Sequence, residues 1–543
     1  MLRVRLTVAL MLFGALAVRP AAAEIETVAP AGEVGPWPVV SQIIGYRDRI
    51  WFANSVKGVN HNAADLYTFD PATGALRFER ALFSQDAGDP VVAAGRLFWP
   101  LEDPRSSVGW GEVTVTDGTL WRRLPVPSAQ AFHAHAMVLW DGRLIAATSA
   151  WRAGFQVSED LGLTWRALYD HPTPPRRVSR VVKLAAAQDF FAGHLIDVGR
   201  HRLLVSDGHT TSLLDGWDES RNVVAMAATP EAVFVAANGP GGGGLWRSDG
   251  ATLSKIAIDL PDGRIQDLHS AGGRLWLLIS GGGGGSVWSS PSGERWRQEL
   301  ALTGGSPWDL YVEGGAIYVG GTGASGRGVF WAGGVPIGPH QPQALPDSRF
   351  PDPQGAPIVD WNREAQALDR LLAGMARSGG NRSALRNAVY RLAMAGPPEG
   401  FFASRLRLSG DGGGRIPMIG GLVQVANRDL ANWLLLWGMG LAREQGVPVE
   451  LLLRPWTAET NGAEKYFEPT PAALWVLTMG GQRDAATIAA LIERLGYADD
   501  PDWLRNHVAA TLATLTGQPK RWSRSQWADW WAKAAADWPR ASL

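Results

Sequence analysis

One feature constrains this chain more than any other: a short apolar tetrad that follows a turn and returns at a nearly constant interval. It reads Arg49-Ile50-Trp51-Phe52, Arg96-Leu97-Phe98-Trp99, Arg143-Leu144-Ile145-Ala146, Ala232-Val233-Phe234-Val235, Arg274-Leu275-Trp276-Leu277 and Ala316-Ile317-Tyr318-Val319. Its second residues lie at 50, 97, 144, 233, 275 and 317, in steps of 47, 47, 89, 42 and 42, and the 89 conceals one divergent copy near Phe190-Phe191. Thirteen residues past the anchor stand Val157, Trp246, Trp288 and Phe330, and twenty-one past it stand Trp165 and Trp296. A second apolar stretch precedes each tetrad across a turn such as Asp141-Gly142 or Gly272-Gly273. Each copy therefore reads as hairpins of short strands.

Units of about 40–50 residues with four strands each predict a β-propeller. About seven copies fit within residues 36–334. The run Ser158-Glu159-Asp160-Leu161-Gly162-Leu163-Thr164-Trp165 matches S-x-D-x-G-x-T-W. It resembles the Asp-box of the BNR, or sialidase-like, propeller repeats. Ser289, Gly293 and Trp296 keep the frame of that box with Pro291 in place of the aspartate, and Ser248-Asp249-Gly250 looks like a shortened relic. The resemblance implies a structural turn away from the ligand face.

Residues 335–358 are rich in Pro and Gly and read as a linker. Beyond it, in 359–543, the period changes to 3.6 and an all-α domain is expected. Leu368, Leu371 and Leu372 share a face, as do Leu385, Val389 and Leu392. Leu430–Glu444, Ala485–Leu495 and Trp503–Leu515 read as helices, the last opened by Pro501-Asp502 and stopped by Gly517. Gly410–Gly421 reads as a loop. The closing segment, Leu512–Gln518 with Trp522, Trp527, Trp530 and Trp531, resembles bacterial HEAT-like helical repeats, which implies protein binding or bracing of a neighbour; a plain helical bundle packed on the propeller is the alternative.

The first residues read as a cleavable signal peptide, 1–23: Arg3 and Arg5, an uncharged apolar run from Leu6 to Val18, and Ala21-Ala22-Ala23 before the cut. The apolar run is too short for a bilayer, and no later segment reads as a membrane span. The expectation is a periplasmic or secreted protein. The chain has no cysteine, which removes disulfides, thiol nucleophiles and zinc-thiolate sites. With 19% charged residues and a net charge of −1, nothing in its electrostatics favours nucleic acid. No cofactor motif is present: there is no G-x-S-x-G elbow, H-E-x-x-H or P-loop.

A propeller binds ligands at the mouth of its channel, where the first strand of each blade begins. Counting eleven residues back from the anchors gives Val39, Asp86, His133, Ser179, Asn222, Arg264 and Ser306, all polar but the first. His133 and His135 share a strand face, and such a pair ligates a metal when a third ligand joins, for which Asp86 is the candidate. Lys57, His61, Asn62, Glu102, Asp103 and Arg105 are expected in long loops on the same face, whereas Gly239–Gly244 and Gly281–Gly285 are short, so the surface leans toward the N-terminal blades. Sialidases carry an R-I-P arginine near the start of the propeller. Here Arg415-Ile416-Pro417 lies in the second half, and none of the five propeller tyrosines is assignable as nucleophile. The expected function is that of a non-enzymatic binding or scaffold protein with a protein or glycan partner. A glycan-acting enzyme is the alternative.

Overall fold

The computed structural model describes residues 25–56, 64–104, 110–127, 131–150, 152–174, 177–258, 263–334, 358, 360–378, 381–407, 413–418, 421–456 and 469–538. The signal segment and its cleavage point, the linker up to residue 357, and Lys57, His61, Asn62 and Arg105 fall outside these residues.

From Val39 to Gly334 the chain forms one antiparallel meander after another. The first joins strands Val39–Tyr46, Arg49–Ser55, Asp65–Asp70 and Ala75–Ala81 in order. The next is built from Ser84–Ala87 and Val91–Ala93 against Arg96–Pro104, then Gly111–Thr116 and Trp121–Val126. One eight-stranded sheet covers Ala131–Leu213; among the described residues its two halves are joined by Ser149 against Arg180 and Ala150 against Ser179. Sheets beginning at Asn222 and Arg264 follow, and a last one begins at Gly305. From Val91–Ala93 onward each first strand packs beside the next, and Gly305–Glu313 returns to Val39–Tyr46. The arrangement is therefore propeller-like.

The circuit is closed by residues ahead of the expected boundary at 36. Gly32–Val34 pairs antiparallel with Gly328–Gly334, and Glu26–Val28 lies parallel to Arg297–Leu302. Val34 is buried with Phe52 and Phe330, whose rings stack at 4.7 Å. Such closure ties the two ends of the ring together through ladder hydrogen bonds.

Every first strand from Ala131 onward, and Val39–Tyr46, carries a β-bulge near its middle. Side chains from neighbouring sheets take up the freed backbone groups. Asp309 accepts the N–H of Gln42 (2.8 Å) and of Ile43 (3.1 Å), which holds Gln42 at φ 60°. Asp267 accepts from Leu310 (2.7 Å) and Leu268 (2.8 Å). Burial raises the Asp267 carboxyl well above the usual range, and the charge of Asp309 adds to this. Lys183 grips both carboxylate oxygens of Asp89 at 2.9 and 3.0 Å. Burial works against that ammonium, but Asp89, Asp267 and Asp309 outweigh it and keep its pKa above that of free lysine.

The turns from third to fourth strand repeat one device. In Thr116-Asp117-Gly118, Ser206-Asp207-Gly208 and Ser248-Asp249-Gly250 the hydroxyl accepts the glycine N–H, and the aspartate accepts the next two N–H groups. Ser158–Trp165 is the longer form: Ser158 accepts from Gly162, Asp160 from Thr164, and Trp165 Nε1 donates to the Gly162 carbonyl. In the corresponding turn at Gly293 it is Ser290, not the expected Ser289, that accepts the glycine N–H; Ser289 instead donates to Glu299. That turn is one residue tighter between Ser and Gly.

Eight α-helices follow among the described residues: α1 (Trp361–Ser378), α2 (Arg382–Met394), α3 (Asn427–Ala442), α4 (Val449–Leu452), α5 (Pro469–Gly480), α6 (Ala485–Arg494), α7 (Asp502–Thr516) and α8 (Arg524–Ala534). Asn381, Asp484 and Ser523 cap α2, α6 and α8, the last with Gln526 in a capping box. Gly517 stops α7 at φ 71°. The expectation of an all-α second half needs correction. Gly413–Met418 pairs antiparallel with Gly421–Ala426 where a loop was expected, and the residues to either side of 419–420 close as a hairpin.

The helices and sheets share one core. Trp37, Ala81, Phe83 and Trp110 of the sheets lie in the same apolar cluster as Trp433, Trp437, Trp475 and Trp527. Trp437 Nε1 donates to Glu112 (2.7 Å), which is itself paired with buried Arg123 (3.1 Å). Asp65, fully buried, accepts from Asn506 of α7 and from Lys520. Asp65 and Gly111-Glu112 open third strands, and Ser55 and Glu102 lie at or near the ends of second strands. The helices therefore sit against the face on which the first strands begin.

Candidate functional site

All seven offset positions lie at or near the start of a first strand, as the repeat requires. Each also faces a second polar ring that the sequence reading missed. Across the ladder Val39 meets Ser55, Asp86 meets Glu102, His133 meets Ser149, Ser179 meets Asp197, Asn222 meets Asn238, Arg264 meets Ser280, and Ser306 meets Thr322. The signal was present in the sequence: six of these partners stand sixteen residues downstream, and only Asp197 stands eighteen. The mouth is thus polar on both of its inner strands.

The offset residues divide into two groups. Asp86, His133, His135 and Ser179 are buried, whereas Asn222, Arg264 and Ser306 are exposed. Asp86 accepts from Ser55 Oγ (2.7 Å) and from the N–H of Ala87 (2.8 Å). Ser179 Oγ donates to Asp197 (3.0 Å), whose carboxylate also lies 3.4 Å from His171 Nε2. His133 Nδ1 and His135 Nε2 both meet Ser149 Oγ, at 3.0 and 2.6 Å.

Asp86 is not the carboxylate that joins the histidines. One ligand atom from each of Glu102, His133 and His135 lies within 4.8 Å of the others. Asp86 is committed to Ser55 and its own strand, while Glu102 stands one step across the ladder. Glu102 and Asp103, expected in a loop, belong to strand Arg96–Pro104. The close approach of these two sheets depends on Gly88, where a Cβ would come within 2.0 Å of the His135 carbonyl.

On the far side of the ring Asn222, Ser306 and the cationic Arg264 are exposed. Asn238 clamps the next sheet, donating to the Ile265 carbonyl (2.7 Å) and accepting its N–H (3.2 Å). Gly281–Gly285, Trp288 and Gln298 border an open depression of about 350 Å³ that no titratable side chain lines. Trp308, on the last first strand, is 42% exposed.

No family model and no curated protein matches the sequence. Among solved structures the chain is similar to YCF48 from Cyanidioschyzon merolae, with 14% identity and a TM-score of 0.39 over 55% of this chain and 97% of that one. It is also similar to the β-propeller domain of the Trilobed protease from Pyrococcus furiosus, with 11% identity and a TM-score of 0.38 over 58% of this chain and all of that one. A Pyrococcus horikoshii acylaminoacyl peptidase gives 10% identity and a TM-score of 0.36 over 52% of this chain and 49% of that one, so the chain spans about half its length. The sheet topology of this chain, not these distant likenesses, establishes its propeller-like architecture.

Proposed function

We propose that this is an exported binding or scaffold protein whose ligand face is the channel mouth beside the helices. Taking the eight-stranded sheet as two blades, and Gly32–Val34 as the fourth strand of the last, gives seven four-stranded blades over 36–334 with their closing strands. The Ser158–Trp165 turn, with its hydroxyl, aspartate and tryptophan bonds, supports the BNR likeness. A 359–543 domain of helical pairs resting on the mouth face suits the HEAT-like reading of a brace or partner platform. The leader at 1–23 directs the chain to the periplasm or medium.

The observation that supports this reading is the double polar ring, to which Asp86, His133, His135, Ser179, Asn222, Arg264 and Ser306 belong. Polar side chains of mixed charge there suit an anionic or zwitterionic group. A second reading, glycan binding or processing, is favoured by the exposed Trp308 and the neutral depression beside Trp288 and Gln298, since an aromatic face can stack on a sugar. Affinity capture from the exported fraction, run beside a glycan array, tests both. Arg264→Ala should leave folding intact and weaken the retained ligand tenfold or more. Equal retention by wild type and variant would overturn the proposal.

A further inference from the structure

We infer that Glu102, His133 and His135 form a binding site for a divalent transition-metal ion such as Zn²⁺. The inference does not depend on what larger partner the mouth binds. It begins with backbone register. His133 pairs with Ser149, Ala134 with Thr148 and Ala136 with Ala147, so His135 is the extra residue of a bulge. Bulges re-aim side chains. This one leaves both imidazoles converging on a single hydroxyl, their centroids 5.3 Å apart and their planes at 76°.

The two imidazoles are buried and the carboxylate is half-buried. Ser149 Oγ has one proton, so it donates to one imidazole and accepts from the other. A metal ion takes a lone pair from both rings and neutralises the carboxylate as well. The donor set is two nitrogens and one oxygen in a chain without thiols, which suits zinc and its first-row neighbours better than calcium or magnesium. With bonds of about 2.0–2.1 Å, tetrahedral ligand atoms stand about 3.3 Å apart, so a trio within 4.8 Å needs only side-chain rotation to close. Three protein ligands leave a fourth coordination position open. The backbone beneath is fixed: Ser84 Oγ donates to the Glu102 carbonyl at 2.5 Å, and Gly88 lets the two strands meet. Among the described residues no other trio of histidine and acidic side chains comes this close together.

The test uses the whole mature chain, purified without a polyhistidine tag and stripped with chelator. Titration with Co²⁺ should give one equivalent of binding with visible d–d absorption of tetrahedral or five-coordinate intensity. Zn²⁺ should displace it, as measured by competition with a chromophoric chelator. His133→Asn, His135→Asn and Glu102→Gln should each weaken binding more than tenfold. His194→Asn should leave it unchanged. Should a ligand variant fail to fold, the stoichiometry and spectrum of the wild type still decide. Absence of uptake by the wild type would overturn the inference. So would unchanged affinity in folded His133→Asn and Glu102→Gln.

Discussion

His194 shows how burial of a single side chain makes stability depend on pH. It is 1% exposed, its Nε2 lies 3.0 Å from His201 Nδ1, and its own Nδ1 is buried with no hydrogen-bond partner among the described residues. Burial, with the neighbouring His201 and Lys183, lowers its pKa to about 3. Above pH 6.5 both native and unfolded chains carry it neutral, and it contributes nothing. Below that pH the unfolded chain takes up a proton that the native state refuses until about pH 3. Native stability should therefore fall as pH drops through this window, by about 1.4 kcal/mol per pH unit for this group. Urea unfolding at several pH values between 7 and 4 checks this. His194→Asn should flatten the slope by about one proton, and an unchanged slope would refute the assignment.

At the scale of elements, closure by the N-terminal strands makes a sharp prediction. Val34 is 1% exposed against Phe52 and Phe330, whereas Glu33 beside it faces solvent. Val34→Asp would strand a charge in that core and should cost about 3–5 kcal/mol. Glu33→Ala should stay within about 0.5 kcal/mol. Thermal unfolding of the two variants checks the pair; equal small effects would mean that the strand does not seal the ring.

These elements also show what was readable beforehand. The tetrads at Ile50, Leu97 and their successors are buried second strands, and their period fixed where first strands begin. Helices α3, α6 and α7 announced themselves through apolar spacing, Pro501 and Gly517. Glu26–Val28 and Gly32–Val34 did not, because three-residue strands carry no periodicity and their partners lie some 300 residues away. The hairpin at Gly413–Ala426 was hidden by its glycines, which read as a loop. Glu102 was missed as the companion of the histidines because which carboxylate reaches a neighbouring sheet depends on blade packing, not on offset within a copy.

For the molecule as a whole, helices and sheets are one packed body on the mouth side. The Glu112–Arg123 pair meets Trp437 there, and Asp65 meets Asn506 and Lys520. The helices thus border the buried half of the polar ring and leave Asn222, Arg264 and Ser306 exposed on the other half. Whatever binds would touch that open half first and find the histidines deeper in.

The absence of cysteine from the chain allows the mouth to be probed with one introduced thiol at a time. Ser306→Cys places the thiol at the mouth; Glu231→Cys places it in the exposed turn at the opposite ends of the strands. The decisive measurement is the alkylation rate of each thiol with and without the ligand retained from the exported fraction or the glycan array. The account predicts that bound ligand slows the reaction at Ser306→Cys at least tenfold and leaves Glu231→Cys unchanged. Protection at Glu231→Cys, or none at Ser306→Cys under saturating ligand, would contradict it.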